Sequence, residues 1–90
     1  MLKIRYSAKF KKDFKMIQKR GCNLTLFQEV VTQLSNEQPL PPKNRDHTLS
    51  GNYAGFRECH IAPDWLLIYK IESNILTLSL TRTGTHSDLF

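Results

Sequence analysis

Apolar and polar residues alternate from the first positions of the chain: Leu2, Ile4 and Tyr6 interleave with Lys3 and Arg5. A period of two predicts a half-buried strand. Ser7 follows as an N-cap, and Phe10, Phe14 and Ile17 recur at helical spacing with lysines on the remaining face. Gly21 stops that helix, as a glycine able to turn left-handed does. A second helix is predicted over 24–36, where Leu24, Phe27, Val30, Val31 and Leu34 form one apolar stripe. Periodicity then lapses from Asn36 to Asn52, and Pro39, Pro41, Pro42 and Gly51 punctuate the stretch. The expectation there is an ordered loop of about 15 residues, a length usually tied to function, anchored by Leu40 and Leu49 and carrying His47.

The remainder reads as strands. Over 54–61, Phe56, Glu58 and His60 face one way and Arg57, Cys59 and Ile61 the other. Pro63 and Asp64 make a tight connection to an apolar strand over 65–71. Glu72–Asn74 turns the chain, and 75–81 returns with Leu76, Leu78 and Leu80 on one face. Three strands joined by short turns form an antiparallel meander. The first strand is expected to join the same sheet, and the two helices to cover one of its faces. The predicted fold is α+β: a single domain over 1–90, of order β-α-α-β-β-β, with two N-terminal helices on a small, mostly antiparallel sheet.

Composition narrows the partners. Thirteen Lys and Arg against eight Asp and Glu leave a net charge of +5, which favours nucleic acid or an acidic protein. Lys3, Arg5, Lys9, Lys11, Lys12, Lys15, Lys19 and Arg20 crowd the first twenty residues, where Asp13 is the lone acid. Such a run is a solvated helix face or a docking face for phosphates or an acidic partner. No stretch approaches the roughly 20 apolar residues of a membrane span, and the N-terminus lacks a signal-peptide pattern. A cytoplasmic protein with no membrane partner is expected. Cys22 and Cys59 are two distant cysteines outside any Cys-x-x-Cys pair, and read as free thiols.

The candidate chemistry lies in the second half. His47 follows Arg45 and Asp46, His60 precedes Asp64 by four residues, and His86 follows Arg82 by four. Imidazole exchanges protons near neutral pH. In the predicted meander, His60, Asp64, Trp65, Arg82 and His86 come out at one end of the sheet, and the loop bearing His47 folds over that end. Metal-free RNA cleavage needs a base for a 2′-hydroxyl, a cation on the phosphate and an acid for the leaving 5′-oxygen. Arg82 suits the cation, since a guanidinium meets phosphate oxygens with two parallel hydrogen bonds. His86 is the first choice for one proton-transfer role; His47, His60 and Asp64 compete for the other. Trp65 and Phe90 offer flat faces on which a base could rest. Each also has a plain structural reading: Asp64 as a turn residue, Trp65 as core, Phe90 as a staple for the chain end. The histidine spacings lack the short His-x-His or His-x₃-His pattern of common zinc sites, so neither metal nor cofactor is expected.

Three blocks carry a resemblance: Asp46-His47-Thr48-Leu49-Ser50-Gly51, then Phe56-Arg57-Glu58-Cys59-His60-Ile61-Ala62-Pro63-Asp64-Trp65, then Arg82-Thr83-Gly84-Thr85-His86-Ser87-Asp88-Leu89-Phe90. In content and spacing they resemble the YafQ branch of the RelE/ParE toxin superfamily. The resemblance implies an mRNA-cleaving toxin of a type II toxin–antitoxin pair that acts in the ribosomal A site. It also implies neutralisation by a cognate antitoxin, usually of the ribbon-helix-helix type in this branch. By position, the family's functional residues fall on His47, His60, Asp64, Trp65, Arg82, His86 and Phe90. Two competitors remain: a ParE-type gyrase poison, which needs no clustered histidines, and a basic RNA- or protein-binding module without catalysis.

Overall fold

A computed structural model describes residues 1–90. The order is β1 (Lys3–Tyr6), α1 (Ala8–Lys19), α2 (Leu24–Ser35), β2 (His47–Thr48), β3 (Arg57–Ala62), β4 (Trp65–Glu72), β5 (Thr77–Gly84) and α3 (His86–Leu89). Short 3-10 turns occupy Pro42–Asn44, Gly51–Tyr53 and Ser73–Ile75. One five-stranded sheet has the order β1-β5-β4-β3-β2, parallel between β1 and β5 and antiparallel elsewhere. The expected α+β layout and meander are present, and β1 does join the sheet.

Local chemistry explains the helix ends. The Ser7 hydroxyl accepts the Phe10 N–H at 2.9 Å, and the Asn23 side chain accepts that of Thr25 at 3.0 Å, each satisfying a first-turn donor that has no helical acceptor. Gly21 takes φ +74° past the end of α1, where a Cβ would be disfavoured.

Three details differ from the sequence expectation. His47 sits on a strand, β2, which pairs with β3 through His47–Glu58 and Thr48–Arg57; two residues are too few to show a period. Leu76 does not share the face of Leu78 and Leu80. It closes the turn at φ +49° and is 62% exposed, so β5 starts at Thr77, two residues later. Arg82 lies within β5 instead of beyond it, because that strand runs on to Gly84.

The sheet has one covered and one open face. Toward α1 and α2, Cys59, Ile61, Trp65, Leu67, Tyr69, Leu78 and Leu80 pack with Phe10, Ile17, Phe27, Val30, Val31 and Leu34. Full burial of each large aliphatic side chain stabilises by about 1.5–3 kcal/mol. On the other face Leu66, Ile68 and Leu89 form a smaller cluster, flanked by Leu49, Tyr53 and Phe56. Both outer strands stop short, and side chains close the gaps. Where β1 ends, the Ser7 hydroxyl donates to the Thr81 carbonyl at 2.6 Å and the Asp13 carboxylate accepts the Thr83 N–H at 3.2 Å. Where β2 ends, the Asn44 amide donates to the His60 carbonyl at 2.7 Å.

Candidate active site

The register aligns His47, Glu58, Ile68 and Arg82 in one row across β2, β3, β4 and β5. Residues directly opposite one another in a sheet share a face, so this row crosses the open side. The adjacent row holds His60, Leu66 and Gly84, and His86 follows Gly84 by two residues. Strand spacing is about 4.8 Å, so the imidazoles of β2 and β3 and the guanidinium of β5 flank a shallow trough, beneath which Leu66 and Ile68 are buried by Leu89, Leu49, Tyr53 and Phe56.

His47 donates from Nδ1 to the Arg45 carbonyl at 2.6 Å and turns Nε2 to Glu58 Oε1 at 3.3 Å. His60 likewise donates from Nδ1, to the Pro63 carbonyl, at 3.3 Å. A carbonyl only accepts, so both rings carry a proton on Nδ1; His60 is left with a free Nε2, whereas that of His47 is taken up by Glu58. Glu58 is 6% exposed, and its Oε2 has no partner. A buried carboxylate oxygen left unsatisfied is costly, and such groups concentrate at functional sites. Glu58 is the residue that the sequence reading missed. Its alternation with His60 was the available signal, but a strand glutamate looks like ordinary surface.

Arg82 is held by Asp13 of α1 in a two-bonded pair, Nε to Oδ2 at 2.7 Å and an Nη to Oδ1 at 3.0 Å. That carboxylate raises the Arg82 pKa above its ordinary value against the opposing effect of burial, and the Tyr53 hydroxyl adds to the rise. The guanidinium is therefore a fixed, permanent cation.

His86 is exposed at the start of α3, a helix of four residues held by three tethers. Thr85 and Asp88 form a capping box. Arg20, at the end of α1, grips Asp88 at 2.7 and 3.2 Å. Asp64 accepts the His86 N–H at 3.4 Å. The Arg20 hydrogen bond, followed by the Thr85 backbone N–H, lowers the Asp88 pKa well below the usual carboxylate range. Gly84 is required here, since a Cβ would meet Asp88 Oδ2 at 2.8 Å. Asp64 thus touches the backbone of His86.

Phe90 is 57% exposed and stands 5.1 Å from the His86 ring and 5.7 Å from that of Tyr53. Tyr53 in turn meets Phe56 edge-on, so an aromatic rim follows one side of the trough. Trp65 corrects the expectation of a second stacking surface. It is 5% exposed, stacks on Phe27 at 6.4 Å, and donates its indole N–H to Thr83 Oγ1 at 2.9 Å. The first residue of β4 points toward the helices, so its indole is core. Cys59 is wholly buried and its thiol pKa is raised, chiefly by that burial, which leaves it inert. No three His, Cys, Asp or Glu side chains converge closely enough to hold a metal ion.

The chain is similar to known proteins over its whole length. The mRNA interferase toxin YafQ of Escherichia coli K12 is 42% identical over 97% of this chain and 94% of its own. The crystal structure of a metal-bound toxin from Helicobacter pylori superposes with a TM-score of 0.94 at 51% identity, covering all of both chains. The E. coli DinJ–YafQ toxin–antitoxin complex contains a chain matching with a TM-score of 0.88 at 41% identity, over 99% of this chain and 97% of that one. Residues 2–90 match the family described as bacterial toxin of type II toxin–antitoxin system, YafQ. A full-length match of sequence and fold thus places this chain in the YafQ family of type II toxins.

Proposed function

We propose that the protein is an endoribonuclease that cleaves mRNA on the ribosome without a metal ion. The observation that carries this reading is the row His47–Glu58–Ile68–Arg82, with His60 and His86 beside it, on the sheet face opposite α1 and α2. A phosphodiester lying across the trough meets Arg82 at its non-bridging oxygens, which stabilises the charge that grows there. On the β2–β3 side, His60 takes the proton of the 2′-hydroxyl on its free Nε2 as O2′ attacks phosphorus. His47, held between the Arg45 carbonyl and Glu58, lies on the same side and orients the ribose and phosphate. His86 protonates the 5′-oxygen as the P–O5′ bond breaks. The products are a 2′,3′-cyclic phosphate and a 5′-hydroxyl end. Proton transfer of this kind contributes typically about 10²–10⁴-fold. Phe90 and Tyr53 give an unstacked base a surface worth about 1–3 kcal/mol.

The related H. pylori toxin was crystallised with metal, but the donors here do not converge on one point, and no step is routed through an ion. E. coli YafQ is held in a complex with DinJ. By analogy this chain is neutralised by a cognate antitoxin, of the ribbon-helix-helix type, in the cytoplasm. The exposed Lys11, Lys12 and Lys15 of α1 suit ribosomal RNA or an acidic antitoxin segment.

The test is end mapping. Antitoxin-free protein is added to translating ribosomes, and separately to free RNA in EDTA. New 5′-hydroxyl ends paired with cyclic or 3′-phosphates are expected, and in free RNA they persist in chelator. Intact mRNA with DNA breaks on expression would replace this reading by gyrase poisoning; cleavage of free RNA that EDTA abolishes would end the metal-free mechanism.

A further inference from the structure

We infer a second RNA-binding element beside the trough: a groove of about 350 Å³ in which Lys43 and Arg45 hold a backbone phosphate of the substrate strand, outside the scissile linkage. The inference rests on the nuclease reading and adds to it the path of the strand. The groove is lined by Lys43, Asn44, Arg45, His60, Ala62 and Pro63, with no acidic side chain among them. It exists because β2 pairs with only the first two residues of β3, and the 3-10 turn Pro42–Asn44 stands in for the missing strand.

That turn is built onto the catalytic row at two points. Asn44, 5% exposed, donates to the His60 carbonyl at 2.7 Å, and the Arg45 carbonyl accepts from His47 at 2.6 Å. Arg45 itself is held at φ +46°, with its N–H on the Pro42 carbonyl at 3.1 Å. Both Lys43 and Arg45 are exposed, and neither takes part in any of the four ion pairs of the molecule. Elsewhere the arginines near the site are already engaged: Arg82 by Asp13, Arg20 by Asp88 and Arg57 by Asp46. Two unpaired cations on a braced turn, in a groove opening at His60, form an anion site continuous with the reacting centre. A polynucleotide carries a phosphate at every step and must leave the trough on this side or the other, so the strand itself supplies that anion.

Binding of 2′-O-methyl RNA, which cannot be cleaved, tests this by fluorescence anisotropy across a potassium chloride series. A nonamer and a trinucleotide are compared on the parent chain, on Lys43→Gln/Arg45→Gln, and on the reversal Lys43→Glu. The double variant is expected to bind the nonamer about tenfold more weakly. Its slope of log Kd against log salt should fall by about 0.7, the contribution of the one single-strand phosphate contact that is removed. Lys43→Glu should also weaken nonamer binding. Trinucleotide affinity should match the parent. Unchanged nonamer affinity and slope would overturn the proposal, as would an equal loss on the trinucleotide, which would assign the cations to the reacting phosphate. End mapping on the parent reports on the nuclease reading separately, so either can fail alone.

Discussion

The two faces of this sheet are made by the same strands and do opposite things. On β3, Cys59 and Ile61 go under the helices, while Glu58 and His60 go to the open side. On β4, Trp65, Leu67 and Tyr69 are core on one face, and Leu66 and Ile68 are buried beneath Leu89, Tyr53 and Phe56 on the other. The covered face is apolar, and the few polar groups there are matched, as Trp65 is by Thr83. The open face keeps a carboxylate oxygen buried and unpartnered at Glu58 and leaves His47 and His86 exposed. A domain of 90 residues has little stability to spare. It can tolerate an unsatisfied site on one side because the pleat keeps that side separate from the core.

Substitutions can break this division or sharpen it. The largest effect is expected on the open face: His86→Ala should lower mRNA cleavage by about 100-fold or more with the thermal midpoint nearly unchanged, since its ring is solvent-exposed. A large fall in midpoint would make the residue structural instead. Leu67→Ala is the converse. Leu67 is fully buried against the helices, so about 2–5 kcal/mol should be lost in urea unfolding while cleavage per folded molecule stays at the parental level.

Asp13→Asn joins the faces, because Asp13 lies on α1 yet holds Arg82. It should cost about 1.5–3 kcal/mol and raise KM or lower kcat through a loosened guanidinium. Stability loss with wild-type kinetics would show that the pair only braces the edge of β5. Asp88→Asn should have the smallest effect, present at neutral pH and vanishing in acid. Asp88 titrates lower in the folded chain than in the unfolded one, so its contribution is complete above about pH 4 and is lost as pH falls through the folded value. The variant should be less stable than the parent at neutral pH, with the gap closing below pH 4 in an unfolding series; a constant gap would rule out Arg20 pairing as its source.

Much of the fold was legible because its signals are local. Alternation at Leu2, Ile4 and Tyr6, the Ser7 cap, the stripe from Leu24 to Leu34 and the turn at Pro63-Asp64 each act over a few residues. The site was legible where side chains have distinctive chemistry, as with His47, His60, Arg82 and His86. What escaped depends on register and distant contacts. Glu58 became visible only when β2 paired across from it. Trp65 was misread because a strand's first residue can face either way until the helices dock, and here Phe27 is waiting. The role of Asp13 needs α1 to lie along the open edge of β5, which nothing within α1 announces.

The two ion pairs that seat Arg82 and α3 join positions 69 and 68 residues apart. Contacts of such separation form late, since the intervening chain must first be gathered. A polypeptide interrupted before its last strand therefore has neither pair, and α1 is left with two partnerless groups, Asp13 and Arg20. The clasp closes only once the two ends have met.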